Sequence, residues 1–200
     1  ERVSVLGFSA GAPAAVHFAA RHPDRTKTLL LDAAILFPFE PPISTAQRAT
    51  YESGTLVWLS YQMVTRWPAL LTGFMINGVS NGLTPHQREA AVRWITSDPA
   101  RLHNFQEQFT CTAPARHRRA GSRNDDANQR VLAPLPFGDV AAPTLIAHGT
   151  NERIVPLEHA KVAAAKIDGA ELVLVEEGHH VLPLCRNYGP VARRQLELAH

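Results

Sequence analysis

The sequence predicts an α/β protein built on a parallel sheet and interrupted by a helical insertion. Three observations carry this. Arg2-Val3-Ser4-Val5-Leu6 reads as a strand, the alanine-rich stretch Pro13 to Arg21 as a helix, and Thr26 to Ala34, with Leu29-Leu30-Leu31 inside it, as a second buried strand. Strand, helix and strand within about 30 residues form a βαβ unit, whose strands run parallel. After the proline cluster Pro38, Pro41 and Pro42, the next strand signal is Ala142-Pro143-Thr144-Leu145-Ile146-Ala147, so a long segment separates two strands of one sheet. The expected organisation is core over residues 1–36, insertion and polar loop over 37–137, and core again over 138–200.

Within the insertion, Leu56, Leu59, Met63 and Trp67 recur at helical spacing and predict one apolar face. Thr84-Pro85-His86-Gln87 is a capping box with proline at the first helical position, followed by Ala91, Trp94 and Ile95 as a buried face. Asp98-Pro99 opens a further helix bearing Leu102, Phe105 and Phe109. From Cys111 to Pro136 the apolar pattern dissolves, and a polar loop rich in arginine is expected, with Gly121 as a hinge. Regular structure resumes with a helix over Pro156 to Ile167, a strand over Ala170 to Glu176 and a terminal helix over Val191 to Ala199.

Composition narrows the function classes. A formal charge of +2 with ten histidines lacks the concentrated basic face of a nucleic-acid binder. No run approaches the roughly 18 apolar residues of a membrane span. Cys111 and Cys185 are too few for a disulfide framework and lack metal-ligand spacing, so buried thiols in a reducing, cytoplasmic compartment are expected. The chain opens almost at once in what reads as a central strand, which predicts that earlier strands of the sheet are missing. An unpaired edge there would favour self-association.

The chemistry is concentrated at strand ends. Gly7-Phe8-Ser9-Ala10-Gly11 lies between the first strand and the first helix, where G-x-S-x-G forms a sharp turn that exposes its serine in strained geometry. A serine hydroxyl needs a base to take its proton, and the base needs an acid to orient it. Glu152 follows the strand ending at Ala147, and Gly178-His179-His180 follows the last strand. The carboxyl ends of parallel strands share one edge, so Ser9, Glu152 and His179 should converge. Asp32, at the end of the second strand, is the rival acid, His180 the rival base, and a simple surface pair of Glu152 with Arg153 the bland alternative. The Gly178-His179 pair favours His179 as the base.

On the elbow Gly7 to Gly11, the segment Pro143 to Pro156, and Gly178-His179 with its preceding strand, the sequence resembles the α/β-hydrolase family in its form with a helical cap. The resemblance implies a serine triad of Ser9, Glu152 and His179, an acyl-enzyme on Ser9, and an oxyanion-hole donor at the Ala10 amide. The implied reaction is hydrolysis of a carboxylic ester or similar carbonyl compound. Carbon–carbon bond hydrolysis or perhydrolase chemistry would use the same triad, and an inactive binding module would keep only the fold. Phe8, Trp58 and Trp94 are expected to line a site for a small substrate with an apolar part, with no metal and no organic cofactor.

Overall fold

The computed structural model describes residues 1–40, 49, 52–80, 83–110 and 115–200, with backbone only at positions 61, 109, 110, 115 and 116. Pro41, Pro42, Cys111 and the Phe109 side chain lie outside the described part. Among the described residues, four strands, β1 (Val3–Phe8), β2 (Thr26–Asp32), β3 (Thr144–Gly149) and β4 (Glu171–Val175), form one sheet in the order β1-β2-β3-β4. All three pairings are parallel.

Helix α1 (Ala12–Arg21) joins β1 to β2, α7 (Glu158–Lys166) joins β3 to β4, and α8 (Gly189–Ala199) ends the chain. Between β2 and β3 run α2 (Gly54–Arg66), α3 (Pro68–Val79), α4 (Pro85–Thr96), α5 (Pro99–Thr110) and α6 (Ala115–Arg130). The period-2 alternation of the central strands explains the layering. Leu29, Leu31 and Ile146 face one side, where they bury Val16 and Ala19 of α1 and Ala160 and Ala163 of α7. Leu30, Leu145 and Ala147 face the other side, against Leu182, Cys185 and Val191 of α8. Strand β1 is an outer strand of this sheet, and Leu6 on it is 57% exposed.

The inserted helices have a third core of their own, made by Val64, Leu71, Ile76, Ile95 and Phe105. Leu184 and Val181, from the segment after β4, join it and so tie the cap to the sheet edge. The capping box at Thr84 forms as expected: its hydroxyl accepts from the Gln87 amide at 3.2 Å, and Gln87 Oε1 accepts from the Thr84 amide at 2.9 Å. Asp98 likewise caps α5 by accepting from the Ala100 amide at 2.8 Å.

Two expectations for the insertion are corrected. Leu56, Leu59 and Trp67 are exposed, while Val64 of α2 is fully buried. This helix carries apolar side chains on more than one face, so spacing alone did not select the packed one. The expected polar loop contains α6, with Gly121 inside the helix rather than at a hinge. Hydrophobic periodicity missed it because it has no apolar stripe. Its arginines instead reach earlier segments: Arg123 makes a 2.7 Å ion pair with Glu52, which Arg119 also approaches, and Arg130 pairs with Glu40 at 2.8 Å. Exposed pairs of this kind contribute at most about 1 kcal/mol each.

Three glycines permit the close packing that sets the sheet edge. A Cβ at Gly7 would lie 2.8 Å from Ala12 Cα and Ala15 Cβ, so only glycine lets α1 lie this close to β1. Gly149, ending β3, and Gly178, after β4, cross each other in contact. A Cβ on Gly178 would fall 2.9 Å from Gly149 Cα and 2.7 Å from the Val175 carbonyl oxygen. Backbone cannot yield as a flexible side chain can. Gly178→Ala should therefore lower stability by about 1–3 kcal/mol, read as a lower denaturation midpoint at constant slope.

The passage from β2 into the cap is held by a buried histidine. His159 of α7 accepts the Leu36 amide proton at its Nδ1, 3.0 Å away. Its ring stacks on Phe37 at 3.6 Å and meets the edge of Phe39 at 5.3 Å. Burial, with His148 nearby, pushes the His159 pKa down to about 4, and burial also lowers that of His148. Unfolded histidine titrates near 6.5, so between that value and about 4 the unfolded chain binds more protons than the folded one. Stability should thus fall as pH drops from 6.5 to 4. Thermal melts across that range should show a shallower slope for His159→Gln.

Candidate active site

Strands β1, β3 and β4 are parallel, and Ser9, Glu152 and the histidine pair all follow their carboxyl ends. At the first of these ends the chain turns through a 3-10 segment, Ser9–Gly11, directly into α1. Ser9 has φ 49°, in the left-handed region that non-glycine residues avoid. The surroundings hold it there. The Ser9 carbonyl accepts from the Ile35 amide at 3.0 Å, from the segment just past β2, and also from the Ala12 amide. Ala10, the expected oxyanion donor, follows in the same turn, ahead of the α1 N-terminus.

Glu152 is not a surface residue paired with Arg153. Its side chain is 2% exposed, and one carboxylate oxygen accepts the amides of Ile154 and Val155. Those bonds fold the acid loop around the carboxylate and aim its second oxygen, Oε2, at a histidine. That histidine is His180, whose Nδ1 lies 2.9 Å away. The His180 ring also packs against Phe8, the residue before Ser9, with centroids 5.1 Å apart. Arg153 turns elsewhere, donating to the Asn77 carbonyl at 3.1 Å.

The expected pairing of Glu152 with His179 is therefore corrected in favour of His180. His179 is 3% exposed and turns toward the core, where its amide donates to Cys185 Sγ at 3.3 Å. Its Nδ1 accepts from the Val181 amide at 3.2 Å. Burial outweighs the nearby Glu152 charge and pushes its pKa down to about 4, so it stays neutral at ordinary pH. Burial likewise pushes the Cys185 thiol up to about 12, which leaves it an inert packing group. Gly178 does not mark the histidine that meets Glu152. It serves the crossing with Gly149.

Asp32, the rival acid, is committed elsewhere. It is 2% exposed and accepts from Tyr188 Oη at 3.0 Å and Gln195 Nε2 at 2.8 Å, both from the C-terminal segment. Burial raises its pKa despite these two donors. Of the expected substrate-lining residues, Phe8 is 40% exposed beside His180, and Trp58 is 60% exposed on α2. Trp94 instead packs against the cap's own core with the Arg101 guanidinium 3.5 Å above its ring. Among the described residues, no three His, Cys, Asp or Glu side chains are grouped to hold a metal ion. Nor is any helix there long and apolar enough to cross a membrane.

Comparison with known proteins agrees with this architecture. The profile of the family described as serine aminopeptidase, S33 (Hydrolase_4) matches residues 1–184. The uncharacterized hydrolase YcgS of Bacillus subtilis is 25% identical over 187 residues, covering 91% of this chain but 63% of its own length. An α/β hydrolase fold protein from Nakamurella multipartita superposes with a TM-score of 0.90 at 29% identity, over 99% of this chain and 69% of that one. A thermophilic esterase from Thermogutta terrifontis shares the fold alone, with a TM-score of 0.57 at 18% identity over the whole of this chain and 66% of its own. This chain thus spans about two thirds of the length of each of these three proteins. With its parallel sheet, its elbow at Ser9 and a family match running through residue 184, the chain belongs to the Hydrolase_4 (S33) family of α/β-hydrolases.

Proposed function

We propose that this chain carries the nucleophile, base and acid of a serine hydrolase acting through an acyl-enzyme on a carboxylic ester or similar carbonyl substrate. The observation that carries the reading is the buried 2.9 Å contact between Glu152 and His180, at the same sheet edge as a serine held at φ 49°. A carboxylate on Nδ1 keeps the proton there and leaves Nε2 as the basic nitrogen. His180 then takes the Ser9 hydroxyl proton as the oxygen attacks the carbonyl carbon, and returns it to the leaving alcohol. Water, deprotonated by the same Nε2, releases the acid and restores Ser9.

The Ala10 amide and the N-terminus of α1 face charge developing beside Ser9, and a single oxyanion donor is worth on the order of 10²–10³ in turnover. Ser9 is strained because the elbow must lift its side chain clear of the strand, and the Ile35 and Ala12 amides bonded to its carbonyl hold it there. Phe8 and Trp58 supply exposed apolar surface for the substrate, which favours an acyl or alcohol group with an apolar part. No metal or organic cofactor enters this sequence of steps.

In the full-length protein, Ser9→Ala should abolish turnover of p-nitrophenyl acetate, and unchanged turnover would sink the assignment. A fluorophosphonate probe should modify Ser9, as read by peptide mass spectrometry, and an adduct on another residue would count against it. The two histidines separate cleanly. His180→Gln should reduce kcat by at least about 10³-fold with folding intact. His179→Asn should lower the melting temperature and leave kcat per folded molecule near that of the parent.

A further inference from the structure

Glu177 stands three residues before His180 and is itself held at φ 55°, left-handed backbone for a residue with a side chain. Its amide donates to the Thr150 hydroxyl at 2.9 Å, in the loop that carries Glu152. Its carboxylate accepts from Gln87 Nε2 at 3.0 Å and meets Arg186 at 3.5 Å. Gln87 is the third residue of cap helix α4, and its other amide atom is the Oε1 that closes the capping box. One side chain thus terminates a cap helix and grips the histidine loop.

We infer that Gln87 is a positioning residue: its hydrogen bond to Glu177 uses the cap to hold the Glu152–His180 pair in register. The inference rests on the function proposed above. Neighbouring contacts point the same way. The Val79 carbonyl at the end of α3 accepts from the His180 amide at 3.3 Å, and Ser80 pairs as an antiparallel bridge with Glu152. Arg153 reaches the Asn77 carbonyl in the last turn of α3, and Val181 and Leu184, which follow His180, are packed into the cap core. The acid and histidine loops are laced together underneath, with the Asn151 amide on the Gly178 carbonyl at 2.8 Å. Both loops therefore contact the cap and each other. Of the cap's contacts with the histidine loop, the Gln87–Glu177 bond has a donor and an acceptor that can be exchanged.

The test uses the full-length protein and that exchange. Gln87→Glu keeps the acceptor for the Thr84 amide, since glutamate serves a capping box as well as glutamine, but sets two carboxylates against each other. The rate of Ser9 labelling by a fluorophosphonate should fall on the order of tenfold. The far-downfield proton resonance of the His180 Nδ1–H should broaden or shift. Adding Glu177→Gln restores a donor–acceptor pair with its polarity reversed, and both signals should return. Parental labelling and resonance in Gln87→Glu would overturn the inference, as would a loss that the double variant fails to repair. If Gln87→Glu does not fold, Glu177→Asn carries the same comparison, because asparagine tolerates the left-handed backbone but is too short to reach Gln87. Loss of labelling in Ser9→Ala and His180→Gln, with parental behaviour in Gln87→Glu, would reject the positioning role alone. Parental labelling in Ser9→Ala or His180→Gln would reject the underlying function instead.

Discussion

The crossing of two backbones at Gly149 and Gly178 is the constraint on which the candidate site depends. The acid loop leaves β3 at Gly149 and the histidine loop leaves β4 shortly before Gly178, and neither position has room for a Cβ. Because they touch, Thr150 and Asn151 can bond to residues 175–178 of the other loop. Glu152 and His180 are then set opposite each other at 2.9 Å rather than spread over two independent loops. A hydrogen bond between a buried carboxylate and an imidazole is strong only where such geometry is enforced, since the desolvation of Glu152 must be offset by well-aligned donors.

The elbow is held by a parallel device on the other side of the sheet. Gly7 lets α1 approach β1, and the segment after β2 reaches across to the Ser9 carbonyl through Ile35. Ala33, in that same segment, also has positive φ, and its amide bonds to Ala147 of β3. Strain at Ser9 is therefore supported by neighbouring strand ends, and the buried Asp32, held by Tyr188 and Gln195, anchors the end of β2 from the opposite face. Polar groups that take no part in the proposed chemistry shape the edge where it would occur. The inserted helices contact this edge through Val79, Ser80 and Gln87, so they are connected to the acid and histidine loops.

Much of this was legible from residue order. Strand runs such as Leu29-Leu30-Leu31, the turn Gly7 to Gly11 and the capping box at Thr84 are local signals, and each predicted element formed near its expected place. Helix α6 was not legible, because its arginines find Glu52 and Glu40 only once distant segments meet. The same limit hid the roles of Asp32 and Trp94, whose partners lie far along the chain or on the next helix.

What the sequence determined by itself was the parallel α/β architecture, a serine in a tight turn after β1, and an acid and a histidine pair after later strands. Periodicity and turn chemistry act over a few residues, and these features need nothing longer. Only the tertiary structure decided which histidine meets Glu152. His179 and His180 are identical in type and adjacent, so no local pattern distinguishes them. The choice follows from the direction of the loop after Glu177, whose left-handed backbone and crossing at Gly178 turn His179 into the core and His180 toward the carboxylate.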